Sequence, residues 1–315
     1  MPKEKTPREL EDLPGIGPTS AEKLRAAGID TIEKVAASFP ANLSEVSGLS
    51  QDAAKKAIEA AREATTINYE TAKAILKRRE DIGKISTGSK DLDELIGGGI
   101  ETDAVTEVYG RFASGKTQLG FQLAVNVQLQ KKEGGLGGSV LFLDTEGTFR
   151  PERIVAMAKS AGIDPEAAVE NIVVVRAQNT DQQVLTIERA DKLIQEKNIK
   201  LIIVDSLTSL FRAEFLGRGA LNERQQKLNA HIHRLALLAN KYNLAVFITN
   251  QVMDNPGMLF GDPTTPIGGN VLAHAATTML YLRKGKEDKR IVRLVDSPNM
   301  PEGECIIKIT VDGIK

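Results

Sequence analysis

Eight residues limit what this chain can fold into more than any others: Gly110-Arg111-Phe112-Ala113-Ser114-Gly115-Lys116-Thr117. They fit the pattern G-x-x-x-x-G-K-[ST]. The setting is also the required one, because an apolar β-rich run, Ala104–Tyr109, leads in and a helical stretch, Thr117–Gln130, leads out. Each residue type answers a physical need. Glycines let the backbone wrap close to a phosphate and turn its N–H groups inward. The helix N-terminus adds positive potential. Lys116 brings a point charge to the β- and γ-phosphates, and the Thr117 hydroxyl is suited to ligating Mg²⁺. The run, with Gln118 beside it, is therefore expected to hold ATP and Mg²⁺.

The residues around this loop predict the fold. From about residue 84, candidate strands Ala104–Tyr109, Val140–Asp144, Ile172–Arg176, Leu201–Asp205 and Leu244–Asn250 alternate with helical stretches, among them Asp181–Glu196 and Asn222–Asn240. Such alternation predicts an α/β core with a mostly parallel central sheet and helices on both faces. Thr278–Leu282, Ile291–Asp296 and Cys305–Val311, separated by short turns, predict an antiparallel or mixed edge. Residues 1–65 read instead as a small all-α domain and 66–83 as a connector, leaving 84–315 as the ATPase core; a length of 315 residues fits two domains.

Three further residues fit the phosphate site. Leu201-Ile202-Ile203-Val204-Asp205 is an apolar strand ending in an acid, and Asp205 at that edge is expected to hold Mg²⁺ directly or through water. Glu146 follows a strand in Asp144-Thr145-Glu146-Gly147. A carboxylate there suits orienting and deprotonating an attacking water, and it equally suits an acidic turn. Gln251, just after Leu244–Asn250, has an amide that could sense the γ-phosphate or simply serve a loop.

A net charge of −1 means that any nucleic acid must be bound by local basic patches or backbone amides rather than by bulk charge. With no Trp and aromatics at 4%, broad base-stacking platforms are not expected. The single cysteine, Cys305, allows neither an internal disulfide nor a cysteine zinc site, and the three histidines do not form a metal set. No apolar run approaches the roughly 20 residues of a membrane helix, and no secretory signal opens the sequence. The expectation is a cytoplasmic protein with no membrane partner.

Leu10-x-x-Leu13-Pro14-Gly15-Ile16-Gly17-x-x-x-Ala21-x-x-Leu24 is a helix-hairpin-helix pattern, in which the turn at Gly15 and Gly17 offers backbone N–H groups to a DNA phosphate. Leu43–Ala61, with Ser47-Gly48-Leu49 as its turn, reads as a second, degenerate copy. In the larger domain Arg212, Arg218, Arg224, Lys227 and Arg234 form a basic cluster, and Met253–Gly269 is a long Gly- and Pro-containing loop with no Lys or Arg. Loops of this kind after strand ends are often functional; two ordinary surface loops are the alternative. Arg283, Lys284, Lys286, Lys289, Arg290 and Arg293 read as a solvated basic hairpin, with duplex capture as the other possibility.

Together these segments resemble the RecA-type recombinase family, its archaeal RadA members in particular. The resemblance rests most on Ser86-Thr87-Gly88-Ser89-Lys90-x-Leu92-Asp93, on Asp144-Thr145-Glu146-Gly147-Thr148-Phe149-Arg150-Pro151-Glu152-Arg153, and on Asp205-Ser206-Leu207-Thr208-Ser209. Gly217-Arg218-Gly219-x-Leu221-x-Glu223-Arg224-Gln225-Gln226, Pro266-Ile267-Gly268-Gly269-Asn270 and Asp296-Ser297-Pro298 add to it. The resemblance implies that Lys116, Glu146 and Gln251 act in ATP hydrolysis, with Thr117 and Asp205 on Mg²⁺. It implies that Arg153 packs against adenine, and that Asp296 and Pro301 meet the nucleotide of a neighbouring subunit. Gln251 and His274 would couple the γ-phosphate to the second DNA loop. Arg212, Phe215, Arg218 and Arg224 would belong to the first DNA loop or its flank. The implied partners are single- and double-stranded DNA and other copies of the chain, in a helical filament or ring. A ring helicase and a non-catalytic recombination mediator are the competing functions on such a core. Two departures stand out. The family's Phe-x-x-Ala polymerisation motif is here Tyr69-Glu70-Thr71-Ala72, and the phosphate loop carries Arg111 and Ala113 where an acid and a glycine are expected.

Overall fold

The structure, a computed structural model, describes residues 7, 9–65, 69–217, 219–254, 264–268 and 275–315. Contacts divide the chain into two compact units, Met1–Lys77 and Arg78–Lys315.

In the smaller unit four helices follow from local chemistry. Pro18 and Pro40 stand in the first turns of α1 (Pro18–Ala26) and α3 (Pro40–Ser47), where their fixed φ favours initiation. Between them, α2 (Ile32–Ala37) is capped by the Thr31 side chain, which accepts from the Lys34 N–H. Ser50 caps α4 (Gln51–Ala64) in the same way through the Ala53 N–H. Ala54, Ala57, Ile58 and Ala61 on α4 share one stripe and bury against Leu10, Leu13, Ile16, Leu24 and Leu43. The turn between α3 and α4 falls at Gly48, as the second hairpin pattern predicts. The helix α5 (Ala72–Arg78) buries none of its residues.

The larger unit opens with β1 (Lys84–Ile85), α6 (Lys90–Leu95) and β2 (Ile100–Glu101). Then follow β3 (Ala104–Tyr109), α7 (Lys116–Asn126), β4 (Ser139–Asp144), α8 (Pro151–Ser160), α9 (Pro165–Glu170), β5 (Ile172–Arg176), α10 (Thr180–Glu188), α11 (Ala190–Glu196) and β6 (Ile199–Asp205). Next come α12 (Ser209–Glu214), α13 (Leu221–Tyr242), β7 (Ala245–Asn250), β8 (Val252–Asp254) and β9 (Thr264–Pro266). The chain closes with β10 (Thr278–Lys284), β11 (Lys289–Asp296), β12 (Gly303–Thr310) and β13 (Gly313–Ile314). Nine of these strands form one sheet in the order β13-β12-β11-β10-β3-β7-β6-β4-β5. β10, β3, β7, β6, β4 and β5 run parallel, and β10 to β13 are antiparallel, which is the mixed edge expected.

Both faces of the sheet are covered, so alternate residues of each strand feed different cores. On β7, Ala245 and Phe247 pack with α7 and α8, whereas Val246 and Ile248 pack with α11 and α13. The strand ends that carry acids and amides therefore lie together at the carboxyl edge, where open α/β sheets bind ligands.

Two helix boundaries differ from the sequence expectation. The stretch Asp181–Glu196 is two helices, because Arg189 (φ −98, ψ 7) bends its N–H back to the carbonyls of Leu185 and Ile187. α7 stops at Asn126 rather than continuing to Gln130. The following loop folds back so that the N–H groups of Leu136 and Gly138 donate to the Val127 carbonyl and that of Gly137 to Leu129, satisfying carbonyls just past the helix end.

Candidate functional site

The phosphate loop forms where β3 ends and α7 begins. Gly110 lies so close to β10 that a Cβ there would stand 2.2 Å from the Leu282 carbonyl oxygen. Gly115 has φ +108, and a Cβ would meet Ile309 Cδ1 at 2.5 Å. Ala113 adopts φ +60, a left-handed conformation that an L side chain disfavours. Phe112 at the tip is 99% exposed. Every residue from Gly110 to Gln118 lines one cavity of about 710 Å³, together with Glu146, Thr148, Gln251, Val252, Arg290 and Ile309.

Inside the cavity Lys116 Nζ donates to the carbonyls of Gly110 (2.8 Å) and Arg111 (3.2 Å). Burial pulls its pKa down, against the attraction of Asp205 and Glu146. Thr117 Oγ1 donates to Asp205 Oδ2 at 2.7 Å, and Thr249 Oγ1 donates to Oδ1. Burial pushes the Asp205 pKa up while these hydroxyls pull it down. A buried carboxylate beside a hydroxyl is an oxygen donor set of the kind that Mg²⁺ takes along with water and phosphate oxygens, so the residues fit that ion.

Glu146 is positioned by Asp144, the last residue of β4. Its Oδ1 accepts from the N–H groups of Glu146 (3.1 Å), Gly147 (2.8 Å) and Thr148 (3.2 Å), and its Oδ2 from Phe149 (3.1 Å). The sequence shows Asp144 as part of a motif and gives it no role; four backbone donors on one carboxylate show that it shapes the loop. From that loop Glu146 Oε1 accepts from Gln251 Nε2 at 2.8 Å. Gln251 Oε1 in turn accepts from Arg212 Nη1 at 3.1 Å. A continuous chain of side chains thus leads from the phosphate cavity to α12.

Arg153 does not itself line the cavity but bonds Gln118, which does. Its Nε donates to Gln118 Oε1 at 2.7 Å, its Nη2 to the Thr310 carbonyl at 2.6 Å, and its Nη1 to the Val311 carbonyl, tying α8 to α7 and to the turn before β13. Arg290, assigned from sequence only to the basic hairpin, lines the cavity instead. Its Nη1 donates to the Glu287 and Lys289 carbonyls, while its buried Nε has no partner among the described residues. The other arginines of that hairpin meet exposed acids, Arg283 with Glu304 and Arg293 with Glu302. Asp296 ends β11, and Pro301 lines a separate groove with Leu95 and Met300; neither lines the phosphate cavity of its own chain.

The basic cluster divides. Arg234 pairs with Asp191 and Glu188 and Lys227 with Glu223, whereas Arg212 points to Gln251. Phe215 follows α12 as its cap, with its ring stacked on Phe211 at 6.4 Å and Lys227 Nζ 4.9 Å above it. Arg224 lies in the first turn of α13. Arg218 and His274 lie outside the described residues, as do residues 255–263 and 269 of the long loop. The two ends of that loop pair as a short ribbon, β8 against β9. In the smaller unit the N–H groups of Gly15 and Gly17 have no acceptor among the described residues, and Gly15 holds the turn at φ +81. Tyr69 is 89% exposed, and Ala72 begins α5.

Compared with models of known families, residues 78–315 match the one described as Rad51, and residues 7–63 match the one described as a SAM-like helix-hairpin-helix tandem.

Proposed function

The chain belongs to the Rad51 family, and from that premise we propose that it is an ATP-dependent recombinase of the archaeal RadA type, which forms filaments on single-stranded DNA and catalyses homologous pairing and strand exchange. The family fold is that of a P-loop NTPase, and its members use ATP and Mg²⁺, bind DNA and self-associate. No helix among the described residues is long and apolar enough to cross a membrane. On this reading the protein works in the cytoplasm, on the nucleoid, as a DNA-dependent ATPase.

The observation that carries the reading is the chain Glu146–Gln251–Arg212, which joins the phosphate cavity to a basic loop flank. Lys116 exchanges its two carbonyl partners for the β- and γ-phosphates, since burial disfavours its charge more than Asp205 and Glu146 favour it. Mg²⁺, held at Thr117 and Asp205, supplies neutralisation of phosphate charge. Gln251 occupies Glu146 Oε1, which leaves Oε2 to orient the attacking water and accept its proton. When Gln251 turns toward the γ-phosphate it releases or drags Arg212, so nucleotide state reaches the first DNA loop and its flanks, to which Arg212, Phe215, Arg218 and Arg224 belong.

DNA binding follows from charge and backbone rather than base readout. Arg212, Arg218 and Arg224 meet phosphates, and the open N–H groups at Gly15 and Gly17 hold a duplex phosphate. Homology is read by base pairing between the strands. Tyr69, Ile75 and Leu76 are exposed around a helix that buries nothing, an apolar surface suited to a neighbouring copy, with Tyr69 and Ala72 as its anchors. Asp296 and Pro301, away from their own cavity, then face the nucleotide of the next copy, and Arg153 and Arg290 flank the base. His274 shares the sensor role with Gln251.

Strand exchange between a single strand and a homologous duplex tests this, with and without ATP and with a heterologous duplex as control. Exchange that needs both ATP and homology supports the proposal. Strand separation regardless of homology points to a helicase, and DNA and ATP binding without exchange to a mediator.

A further inference from the structure

The carboxyl end of β7 is two-faced. Thr249 turns to the α7 side, where its hydroxyl bonds Asp205 of the phosphate site. Asn250 turns to the opposite face and is fully buried. There its side-chain amide uses three bonds on three separate segments. Oδ1 accepts from Thr208 Oγ1 at 2.7 Å, Nδ2 donates to Glu107 Oε1 at 2.7 Å, and Nδ2 also donates to the Ile267 carbonyl at 2.6 Å. Thr208 is the residue before α12, and Ile267 follows β9 at the foot of the ribbon. The Ile267 N–H is bonded in turn to the Gln251 carbonyl at 3.0 Å. One amide therefore pins the roots of both loops, and its two chain neighbours, Thr249 and Gln251, touch Asp205 and Glu146.

Glu107 completes the arrangement. It sits on β3 three residues before the phosphate loop, and β3 pairs with β7 so that Glu107 and Asn250 are diagonal neighbours on one face. It is fully buried, its Oε2 has no partner among the described residues, and burial raises its pKa to about 7. Among the described residues Asn250 is the side chain hydrogen-bonded to it, and that bond opposes the effect of burial. A carboxyl kept in an apolar interior for a single hydrogen bond costs stability. Its use is to hold the Asn250 amide in one orientation.

We propose that Asn250 is a positioning residue, oriented by Glu107, that couples occupancy of the phosphate site to the placement of both loop roots and hence to DNA binding. Neither residue lines the cavity or touches the reacting atoms. This rests on the reading that the cavity binds ATP and the loops bind single-stranded DNA. Because the coupling is a free energy shared between two sites, it must show equally in both directions.

The test uses the full chain, a slowly hydrolysed ATP analogue with Mg²⁺, and a fluorescent oligo-dT strand. Anisotropy gives DNA affinity with and without the analogue, and analogue affinity with and without DNA. Asn250→Asp keeps size and the bond from Thr208 but loses the donor to Glu107 and Ile267. It is expected to bind each ligand alone within about threefold of wild type while the mutual enhancement falls about tenfold in both directions. Glu107→Gln still offers an acceptor to Asn250 and is expected to keep the enhancement. Should Asn250→Asp fail to fold by circular dichroism, Thr208→Val removes one of the three bonds and is expected to lower the enhancement about fivefold. Wild-type enhancement in a folded Asn250→Asp or Thr208→Val protein overturns the proposal. Absence of any enhancement in the wild type overturns the functional reading itself, and the coupling role with it.

Discussion

Glu107→Gln should make the protein more stable at neutral pH and leave it nearly unchanged in mild acid. The Glu107 carboxyl is fully buried and its pKa is raised from the ordinary 4.5 to about 7, chiefly by loss of hydration, with the Asn250 hydrogen bond opposing. Below pH 4.5 the group is protonated in both folded and unfolded chains, and its folded-state pKa exacts nothing. As pH rises from 4.5 to 7 the unfolded chain releases the proton while the folded chain keeps it, so stability falls with pH and then levels off. At about 1.36 kcal/mol per pKa unit the interval is worth roughly 3 kcal/mol. A glutamine cannot ionise, and it keeps the acceptor for Asn250. Its Nε2 replaces the O–H of the protonated acid as a buried donor, so the two side chains are closely matched at low pH. His231 acts with the opposite sign. Burial lowers its pKa to about 4, so its contribution to stability grows as pH rises from 4 through 6.5. Wild-type stability alone would therefore hide both effects, and the difference between variant and wild type isolates Glu107. Urea denaturation of both proteins at pH 5, 6, 7 and 8 measures it. The variant's advantage should climb by about 2–3 kcal/mol across that range. A difference that stays flat within about 0.5 kcal/mol would refute a neutral, desolvated Glu107.

Lys116→Ala should lose nucleotide binding and strand exchange together, measured with a fluorescent nucleotide and the exchange assay; full exchange by this variant contradicts the scheme. Ala113→Gly relieves a left-handed residue worth about 1 kcal/mol, while the freer unfolded chain offsets a similar amount. The melting temperature should thus barely move while ATP turnover rises a few-fold, and unchanged turnover would show that the loop strain has no kinetic role. Tyr69→Ala should give smaller assemblies by light scattering, because it removes a ring that is 89% exposed within its own chain; unchanged assemblies would take Tyr69 out of the interface.

What could be read from the sequence was local. The phosphate loop announces itself because its glycines, its lysine and its threonine must be consecutive to wrap one phosphate chain, and the hairpin around Gly15 is legible for the same reason. The alternating β-rich and helical runs point to the layered core, since a strand buried on both faces is mostly apolar. The loop's neighbours in space were not legible. Arg290 reads as one of six basic residues in a hairpin, yet the register Arg290↔Lys284 and Arg290↔Ile307 sets it beside Ile309 at the cavity while Arg283 and Arg293 go to exposed glutamates. The break of the helical stretch at Arg189 likewise depends on a single backbone angle that periodicity does not encode.

The alternation of a strand explains why nucleotide and loops can be linked at so short a range. Successive side chains of β7 point to opposite faces, so consecutive residues can serve opposite sides of the sheet without any movement of the strand. Thr249 reaches the carboxylate that faces Thr117, Asn250 reaches the roots of α12 and of the β8–β9 ribbon, and Gln251, past the last pair, reaches Glu146. A slip of one residue in the register of β7 would exchange the first two roles, placing an amide against Asp205 and a hydroxyl among Glu107, Thr208 and Ile267. The hydroxyl has one proton to give and could not donate both to Glu107 and to the Ile267 carbonyl as the amide does. The order Thr249-Asn250-Gln251 is therefore set by hydrogen-bonding capacity: a single donor for a carboxylate already bonded by Thr117, a double donor and acceptor for three segments, and a longer amide to span the gap to Glu146 and Arg212.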